Sequence, residues 1–176
     1  MTTRVCGVQL DPRLARTGEN TAAACAAIEA AAAKGARLVD GSFPESGRAL
    51  RLRGAQLIVL PTNWPHQRLK RELVQIRAYE NHVNYFAVNP VGVERGARFD
   101  GGSCAADPTG HLLAEGGDGP QRIHVDFDFA AADASRIVEA PGAYEYDPIA
   151  DRRPDLYGPL TEPTEGGSLR TGSRLA

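Results

Sequence analysis

Three cysteines are the side chains of this chain that could attack a carbon centre, because a thiolate is a strong nucleophile. Cys6, Cys25 and Cys104 are scattered along the sequence, with no Cys-x-x-Cys pair and no histidine at metal-ligand spacing. This pattern argues against a disulfide framework and against a zinc site. Each cysteine lies in a strand-like or alanine-rich stretch, and cysteine is among the residue types most often buried. We therefore expect structural roles for all three and no bound metal.

Few other side chains could move a proton or hold an oxyanion. Lysine occurs at Lys34, after an alanine-rich stretch, and at Lys70, inside a charged cluster. We expect both ammonium groups to be solvated, since long charged side chains usually keep their head group in water. The histidines have no carboxylate at a spacing suited to charge relay. They are His66, His82, His111 and His124. We predict no catalytic or metal-binding histidine.

The first elements that would position these groups follow a β-α-β order. Residues 4–10 form a short apolar run typical of a buried strand, and residues 20–34 are alanine-rich and predict a helix. Gly35 supplies the left-handed residue that stops helices. A second short strand is expected at 36–39. This order predicts that the two strands pair in parallel, with a right-handed crossover.

The middle of the chain continues the α/β alternation. Residues 44–53 predict a short helix closed by Gly54, and residues 56–60 predict a third buried strand. A longer amphipathic helix is expected over 65–82, with apolar residues at three- and four-residue steps. These apolar residues are Leu69, Leu73, Ile76 and Tyr79.

The last part of the chain predicts hairpins. Extended pieces are expected at 83–88, 103–106, 111–114 and 121–127. The clearest turn between them is Asp107-Pro108-Thr109-Gly110, whose residue types favour a β-turn. From Asp147 onward the sequence is rich in proline and has no periodicity.

Composition narrows the classes of partner. The chain has 176 residues, of which 42% are hydrophobic and 24% charged, and its formal net charge is −2. This size suits one domain, and no strong field of either sign points to nucleic acid or to a membrane. The alanine-rich stretch is too short to span a bilayer. No secretory signal is apparent at the N-terminus, so we expect a cytoplasmic protein.

Several segments, in a fixed order along the chain, resemble motifs of the carbon-nitrogen hydrolase (nitrilase and amidase) superfamily. They are Val5-Cys6-Gly7-Val8-Gln9-Leu10; Asp40-Gly41-Ser42-Phe43-Pro44-Glu45 leading to Thr62-Asn63-Trp64; Arg77-Ala78-Tyr79-Glu80-Asn81 with Asn89-Pro90-Val91-Gly92; Gly101-Gly102-Ser103 with Asp107-Pro108; and Arg152-Arg153-Pro154-Asp155-Leu156-Tyr157. Any one of these motifs is weak alone. Their order and spacing together make the resemblance specific.

The resemblance implies a four-layer α-β-β-α sandwich that hydrolyses small amides, nitriles or N-carbamoyl compounds without a cofactor. The chemistry of such enzymes needs a cysteine nucleophile, a glutamate for proton transfer and a lysine for the oxyanion. The family's cysteine would stand two residues before Asp40, where this chain has Leu38. The second strand runs directly into the segment that follows the cysteine in the family. We therefore expect an incomplete sandwich over residues 1–157, with central strands and helices missing, a join near 36–42 and a disordered tail at 158–176.

Glu45 is the one weak catalytic candidate, and two alignments compete for it. In one, it belongs to the segment after the cysteine and is an ordinary helix-start carboxylate, which suits the helix dipole. In the other, it is the glutamate of the family's second strand and a candidate general base. We favour the first, because the spacing from Glu45 to the Asn63-Trp64 strand end is uninterrupted.

Asn63 and Trp64 are weak candidates for substrate contacts. They follow a predicted buried strand at its carboxyl end, where open α/β sheets present ligand-contacting groups, and in the family this stretch borders the substrate pocket. Alternatively, Trp64 and Pro65 simply pack and start the next helix. Glu80 and Asn81 resemble a buried pair that supports neighbouring backbone.

The sequence thus predicts a family member of degenerate form with no complete catalytic set. The alternative is a non-catalytic assembly or regulatory module that pairs with itself or with an intact homologue. Loss of central strands would leave apolar faces and sheet edges open, so we expect the isolated chain to be poorly soluble or to need a partner.

Overall fold

The computed structural model describes residues 2–9, 37–38, 43–65 and 68–162, and for the first two of these ranges it describes the backbone alone. The helix predicted over 20–34 lies outside the described residues, as do Cys25, Lys34 and His66.

The described ranges contain eleven strands, three α-helices and two 3-10 turns. In chain order they are β1 (Thr2–Gln9), β2 (Arg37–Leu38), α1 (Pro44–Arg51), β3 (Leu57–Pro61), α2 (Lys70–Asn81), β4 (Asn84–Val88), β5 (Val91–Glu94), β6 (Ala97–Asp100), β7 (Cys104–Ala106), β8 (Leu112–Glu115), β9 (Gln121–Asp128), α3 (Phe129–Asp133), β10 (Ile137–Ala140), β11 (Tyr144–Tyr146), and the 3-10 turns Pro154–Leu156 and Gly158–Leu160.

The main sheet has five strands in the order β2-β3-β4-β7-β8. β2, β3 and β4 are parallel, and β7 and β8 continue the sheet in antiparallel fashion. Parallel neighbours need crossover connections, and α1 and α2 lie in the connections on either side of β3. The carboxyl ends of β2, β3 and β4 therefore meet at one edge.

The predicted pairing of the first two strands is wrong. β1 pairs antiparallel with β9, over eight residues from Thr2 opposite Asp128 to Gln9 opposite Gln121, while β2 pairs in parallel with β3. β9 offers a partner of the same length as β1. Proximity in sequence predicted the wrong neighbour because the better partner lies at the far end of the domain.

The β1-β9 pair forms a second sheet that packs on one face of the main sheet. Along β9 the side chains alternate between buried and exposed, as expected for a strand with one solvated face. Ile123, Val125 and Phe127 point inward and share a cluster with Phe86 of β4 and Ala105 of β7. The rings of Phe86 and Phe127 lie 6.2 Å apart. The molecule therefore has a sheet-on-sheet core.

The helices cover the opposite face of the main sheet. Val74 and Ala78 of α2 pack with Ile58, Tyr85 and Cys104 in a second buried cluster. Helices, main sheet and β1-β9 pair thus form three successive layers of an incomplete α-β-β-α sandwich.

The orientation of α2 differs from the prediction. Its helical residues begin at Lys70 rather than 65, and its buried face is formed by Lys70, Val74, Ala78 and Asn81. Most of the predicted apolar face is open: the side chains of Leu69, Ile76 and Tyr79 are exposed, and Leu73 is half-buried. Val74 and Ala78 pack against the sheet, and the buried polar residues Lys70 and Asn81 lie at the two ends of this face.

The predicted helix at 44–53 is confirmed as α1. It starts at Pro44, which has the backbone angle that a first helical turn needs, and it is followed by Gly54 with a φ of +86°. Gly47 lies against Asn81 of α2, and a Cβ at this position would stand 3.3 Å from the amide nitrogen of Asn81. The glycine therefore lets the two helices approach each other.

The extended pieces predicted after residue 83 are confirmed as β4, β7, β8 and β9. The turn at 107–110 is also confirmed, since the Gly110 amide donates to the Asp107 carbonyl. The β5-β6 and β10-β11 hairpins were not predicted. Gly96 and Gly142, both at positive φ, were the signals that could have indicated these turns.

The segment after β11 runs along the surface. Its two 3-10 turns are exposed. Residues 163–176, which belong to the predicted disordered tail, lie outside the described ranges. No helix in the described ranges is long and apolar enough to cross a membrane.

Candidate functional site at the strand ends

The carboxyl ends of β2, β3 and β4 bring together the segments to which the sequence assigned a site. Leu38 ends β2, Thr62-Asn63-Trp64 follow β3, and Asn89 follows β4. Open α/β sheets place ligand-contacting groups at this edge. These strand ends therefore form the candidate site for catalytic and binding side chains.

Leu38 lies at the carboxyl end of β2, at the position where the family resemblance places the nucleophile. Its backbone lies beside Val59 in the parallel ladder, next to the strand that leads into Thr62-Asn63-Trp64. An aliphatic side chain has no lone pair or ionisable proton with which to attack a carbon. The sequence predicts that Leu38 replaces the family's cysteine. In the structure this replacement lies at the carboxyl ends of the parallel strands.

The loop after β3 is fixed by one buried amide. The Asn89 carboxamide oxygen accepts hydrogen bonds from the Trp64 backbone amide (2.8 Å) and the Thr62 hydroxyl (2.6 Å). The Asn89 carboxamide nitrogen donates to the carbonyls of Trp64 (3.1 Å) and Gly101 (2.8 Å). The Asn89 backbone amide donates to the Ser103 hydroxyl at 2.9 Å. Asn89 thus ties three segments together.

Lys70 is not solvated, which contradicts the sequence prediction. It is 8% exposed, forms an ion pair with Asp100 and donates to the Gly101 carbonyl at 3.1 Å. Gly101 and Gly102 both have positive φ, which favours glycine, and a Cβ on Gly102 would stand 3.4 Å from the Lys70 side chain. The ammonium group is therefore held by a carboxylate and a carbonyl, and is not presented to a substrate oxyanion.

An open cleft of about 310 Å³ lies over this ion pair. Its walls carry cations and anions in equal number. They are Arg68, Lys70, Arg71, Glu72, Asp100 and Glu115, with Gly102 between them. Arg71 and Glu115 form an exposed ion pair at 3.5 Å. The cleft has no excess of either charge and no apolar floor, so its chemistry favours no particular ligand.

The three weak site candidates occupy different environments. Asn63 is exposed at the strand-end edge. Trp64 is 9% exposed, and its side chain belongs to the buried cluster under α2, which agrees with the packing alternative. Glu45 is exposed in the first turn of α1. The structure does not bring Glu45 together with a thiol or an ammonium group among the described residues.

Cys104 lies in the core of the main sheet. Its side chain is fully buried, and this burial is the main reason that the pKa of its thiol is raised to about 12. A buried thiol with a raised pKa is inert as a nucleophile. For Cys6 only the backbone is described, as part of β1. The prediction of a structural role is confirmed for Cys104 alone.

Of the pair predicted to support backbone, Asn81 is buried and bonds to backbone, whereas the Glu80 carboxylate is partly exposed and pairs with a side chain. Glu80 pairs with Arg77 at 2.7 Å, and the Asn81 amide donates to the Arg77 carbonyl at 2.9 Å. His82 is buried and its Nε2 lies 3.0 Å from the Ala131 carbonyl oxygen. Within the described ranges no group of three or more potential ligands could hold a metal ion.

Sequence reasoning missed the central roles of Asn89 and Lys70. The Asn-x-x-Gly run drew attention to Asn89 only as a motif, although a polar residue directly after a buried strand was a usable signal. Lys70 gave no such signal, since it sits in a run of charged residues.

Comparison with known proteins settles the family. A family model for carbon-nitrogen hydrolases matches residues 39–136. The chain belongs to the carbon-nitrogen hydrolase family. An (R)-stereoselective amidase of a Pseudomonas species is 36% identical over 131 residues, which cover 72% of this chain and 45% of the amidase. A 2-oxoglutaramate amidase of Bacillus subtilis is 32% identical over 122 residues, covering 67% of this chain and 44% of that amidase.

Solved structures confirm the fold. An amidase from a Nesterenkonia species superposes with a TM-score of 0.56 at 31% identity, covering 71% of this chain and 42% of the amidase. The chain therefore spans less than half the length of these relatives. The predicted fold class, an incomplete nitrilase-like sandwich, is confirmed, and the partial coverage is consistent with a truncated member.

Proposed function

We propose that this member of the carbon-nitrogen hydrolase family is degenerate, and that alone it does not hydrolyse small amides, nitriles or N-carbamoyl compounds. The main support is Leu38, which ends β2 beside β3 where the family resemblance expects the nucleophile. The substrate class follows from relatives whose names describe amidases, a nitrilase and N-carbamoylputrescine amidases.

The state of the remaining reactive groups also supports the proposal. Cys104 is buried in the core, and Lys70 forms an ion pair with Asp100. Glu45 lies exposed on a helix. Attack on an unactivated C-N bond needs a nucleophile, a proton-transfer group and an oxyanion partner at the same atom. The Cys104 thiol is buried, the Lys70 ammonium is engaged by Asp100 and the Glu45 carboxylate faces solvent, so these three groups do not supply such a set.

Ammonia release tests the proposal. The purified chain is incubated with a panel of aliphatic amides, nitriles and N-carbamoyl amines, and an intact amidase of the family serves as the positive control. We expect no ammonia above the background of the protein-free reaction. Turnover that a single Cys6→Ser or Cys25→Ser substitution abolishes would overturn the proposal.

A Leu38→Cys variant gives a matched gain-of-function control. It restores a thiol at the strand end but supplies neither a base nor an oxyanion partner, so we expect it to release no ammonia either. Ammonia released by this variant would mean that the supporting groups are present after all, and that only the nucleophile is lost.

A second candidate function is a non-catalytic assembly module that pairs with itself or with an intact homologue. The outward stripe of α2 favours it, because Leu69 (66% exposed) and Ile76 (53% exposed) are large apolar side chains with no cover in the described ranges. Light scattering of the chain, alone and mixed with an intact relative, tests this function. A larger species that Ile76→Glu disrupts supports it, whereas a monodisperse monomer with a cooperative melt counts against it.

A further inference from the structure

Asn89 uses its whole hydrogen-bonding capacity within one site. It is 1% exposed, its carboxamide oxygen accepts two hydrogen bonds and its carboxamide nitrogen donates two. A carboxamide has two N-H donors and one oxygen that can accept two hydrogen bonds. The side chain is therefore saturated, which is uncommon for a side chain that serves only to fill space.

Besides the packing of the Trp64 side chain in the buried cluster, the bonds of Asn89 hold the backbone of loop 62–64. Both the amide and the carbonyl of Trp64 bond to the Asn89 side chain, and the Thr62 hydroxyl bonds to the same oxygen. The Thr62 amide, which donates to the Val88 carbonyl at 2.8 Å, is the last ladder contact of the loop with β4. The position of Asn63, between Thr62 and Trp64, is thus set by Asn89 from both sides.

We propose that Asn89 is the positioning residue of the strand-end loop 62–64, acting on Asn63 through the backbone of its neighbours. Asn89 determines where this loop stands relative to the carboxyl ends of the main sheet. The same amide reaches the Gly101 carbonyl, which also accepts from Lys70, so the loop and the Gly101-Gly102 turn keep a fixed relation. This role does not depend on turnover, and its failure is distinct from a failure of the proposed function.

Asn84 provides a matched control within the same strand. It is also fully buried, and its amide nitrogen donates to two carbonyls, those of Gln56 (3.0 Å) and Asp128 (2.9 Å). It lies at the opposite end of β4, away from loop 62–64. Asn84→Ala and Asn89→Ala each remove a buried amide and its hydrogen bonds, so both destabilise the fold, but only Asn89→Ala removes the bonds that hold the loop.

Hydrogen exchange of the Trp64 backbone amide, measured by NMR, separates positioning from general stability. We expect Asn89→Ala to speed this exchange by about tenfold or more relative to wild type, since the loop loses several hydrogen bonds. Asn84→Ala should leave the exchange within about twofold of wild type when opening is local. As the chain has one tryptophan, acrylamide quenching of its fluorescence gives an independent readout of the same loop.

Two further measurements keep the proposal falsifiable if Asn89→Ala fails to fold. In the wild-type protein, the Trp64 amide should exchange far more slowly than the amides of the Arg95-Gly96 turn. Lys70→Met removes the ion pair with Asp100 and the second donor to the Gly101 carbonyl but none of the Asn89 hydrogen bonds, so Trp64 exchange should stay within about twofold of wild type when opening is local. A wild-type Trp64 amide that exchanges as fast as the turn amides would overturn the proposal, as would equal effects of Asn84→Ala and Asn89→Ala.

Discussion

Replacing Lys70 with methionine should destabilise the fold by about 1–3 kcal/mol. Removing one partner of a fully buried ion pair costs roughly 3–5 kcal/mol, because the other charge is left buried, whereas exposed pairs contribute roughly 0.2–1 kcal/mol. The Lys70 side chain is 9% exposed but Asp100 is 32% exposed, so water partly solvates the carboxylate that remains. Loss of the hydrogen bond to the Gly101 carbonyl contributes to the same figure.

Urea unfolding at neutral pH, followed by circular dichroism, measures this loss. In a double-mutant cycle with Asp100→Asn, the double variant should lose less stability than the sum of the two single variants. Arg71→Met is the control, since Arg71 and Glu115 form a pair in the same cleft with both side chains about half exposed. It should change stability by less than about 0.5 kcal/mol. Equal effects of Lys70→Met and Arg71→Met, or strict additivity in the cycle, would refute the view that Lys70 is structural.

Three other outcomes follow from buried and charged groups. Cys104 should resist alkylation by iodoacetamide at about pH 8 in the native protein, because burial raises the pKa of its thiol to about 12; mass spectrometry of the labelled peptide checks this, and rapid native labelling would contradict it. Burial opposes ionisation of Asp147, but hydrogen bonds from two backbone amides and a serine hydroxyl lower the pKa of its carboxyl below the ordinary value. At pH values above the ordinary carboxyl pKa, the ionised Asp147 therefore stabilises the folded state. As the pH falls through the lowered pKa, the difference in stability between wild type and Asp147→Asn should disappear. Thermal melts at about pH 7 and about pH 2 would show this. Phe127→Ala should cost about 3–5 kcal/mol in urea unfolding, because Phe127 is fully buried against Phe86, whereas Phe43→Ala, at a side chain 60% exposed, should cost little; similar losses would mean that the two sheets do not pack as described.

After residue 43, local patterns predicted the strands of the main sheet, the helices α1 and α2, and β9. The α1 boundaries follow from Pro44 and Gly54, and the hairpin at 107–110 follows from its turn residues. These signals act over a few residues, so they do not depend on the rest of the fold. The family motifs, which are also short, correctly indicated an incomplete nitrilase-like sandwich.

Contacts between distant segments could not be predicted in the same way. The partner of β1 lies more than 110 residues further along the chain, and nothing in the β-α-β order indicates it. The helix α2 has apolar side chains on two sides, and periodicity alone does not say which side meets the sheet. In the structure the side with Val74 and Ala78 meets the sheet.

The candidate site shows the same limit. Lys70 is neutralised by a carboxylate 30 residues away, and Asn89 bonds to residues 25 positions before it and 12 after it. A charged run predicts solvent exposure when its neighbours in space are unknown. The absence of a cysteine at position 38, by contrast, needed only the order of the motifs.

The β5-β6 hairpin is a suitable place for inserting a tag or a labelling site. Its two strands pair only with each other in the described ranges, and its tip, Arg95-Gly96, is exposed. Exposed hairpin tips tolerate inserted sequence well. A short affinity tag or a fluorophore attachment site placed at this tip should leave loop 62–64 undisturbed, and would allow the protein to be immobilised or labelled in one defined orientation.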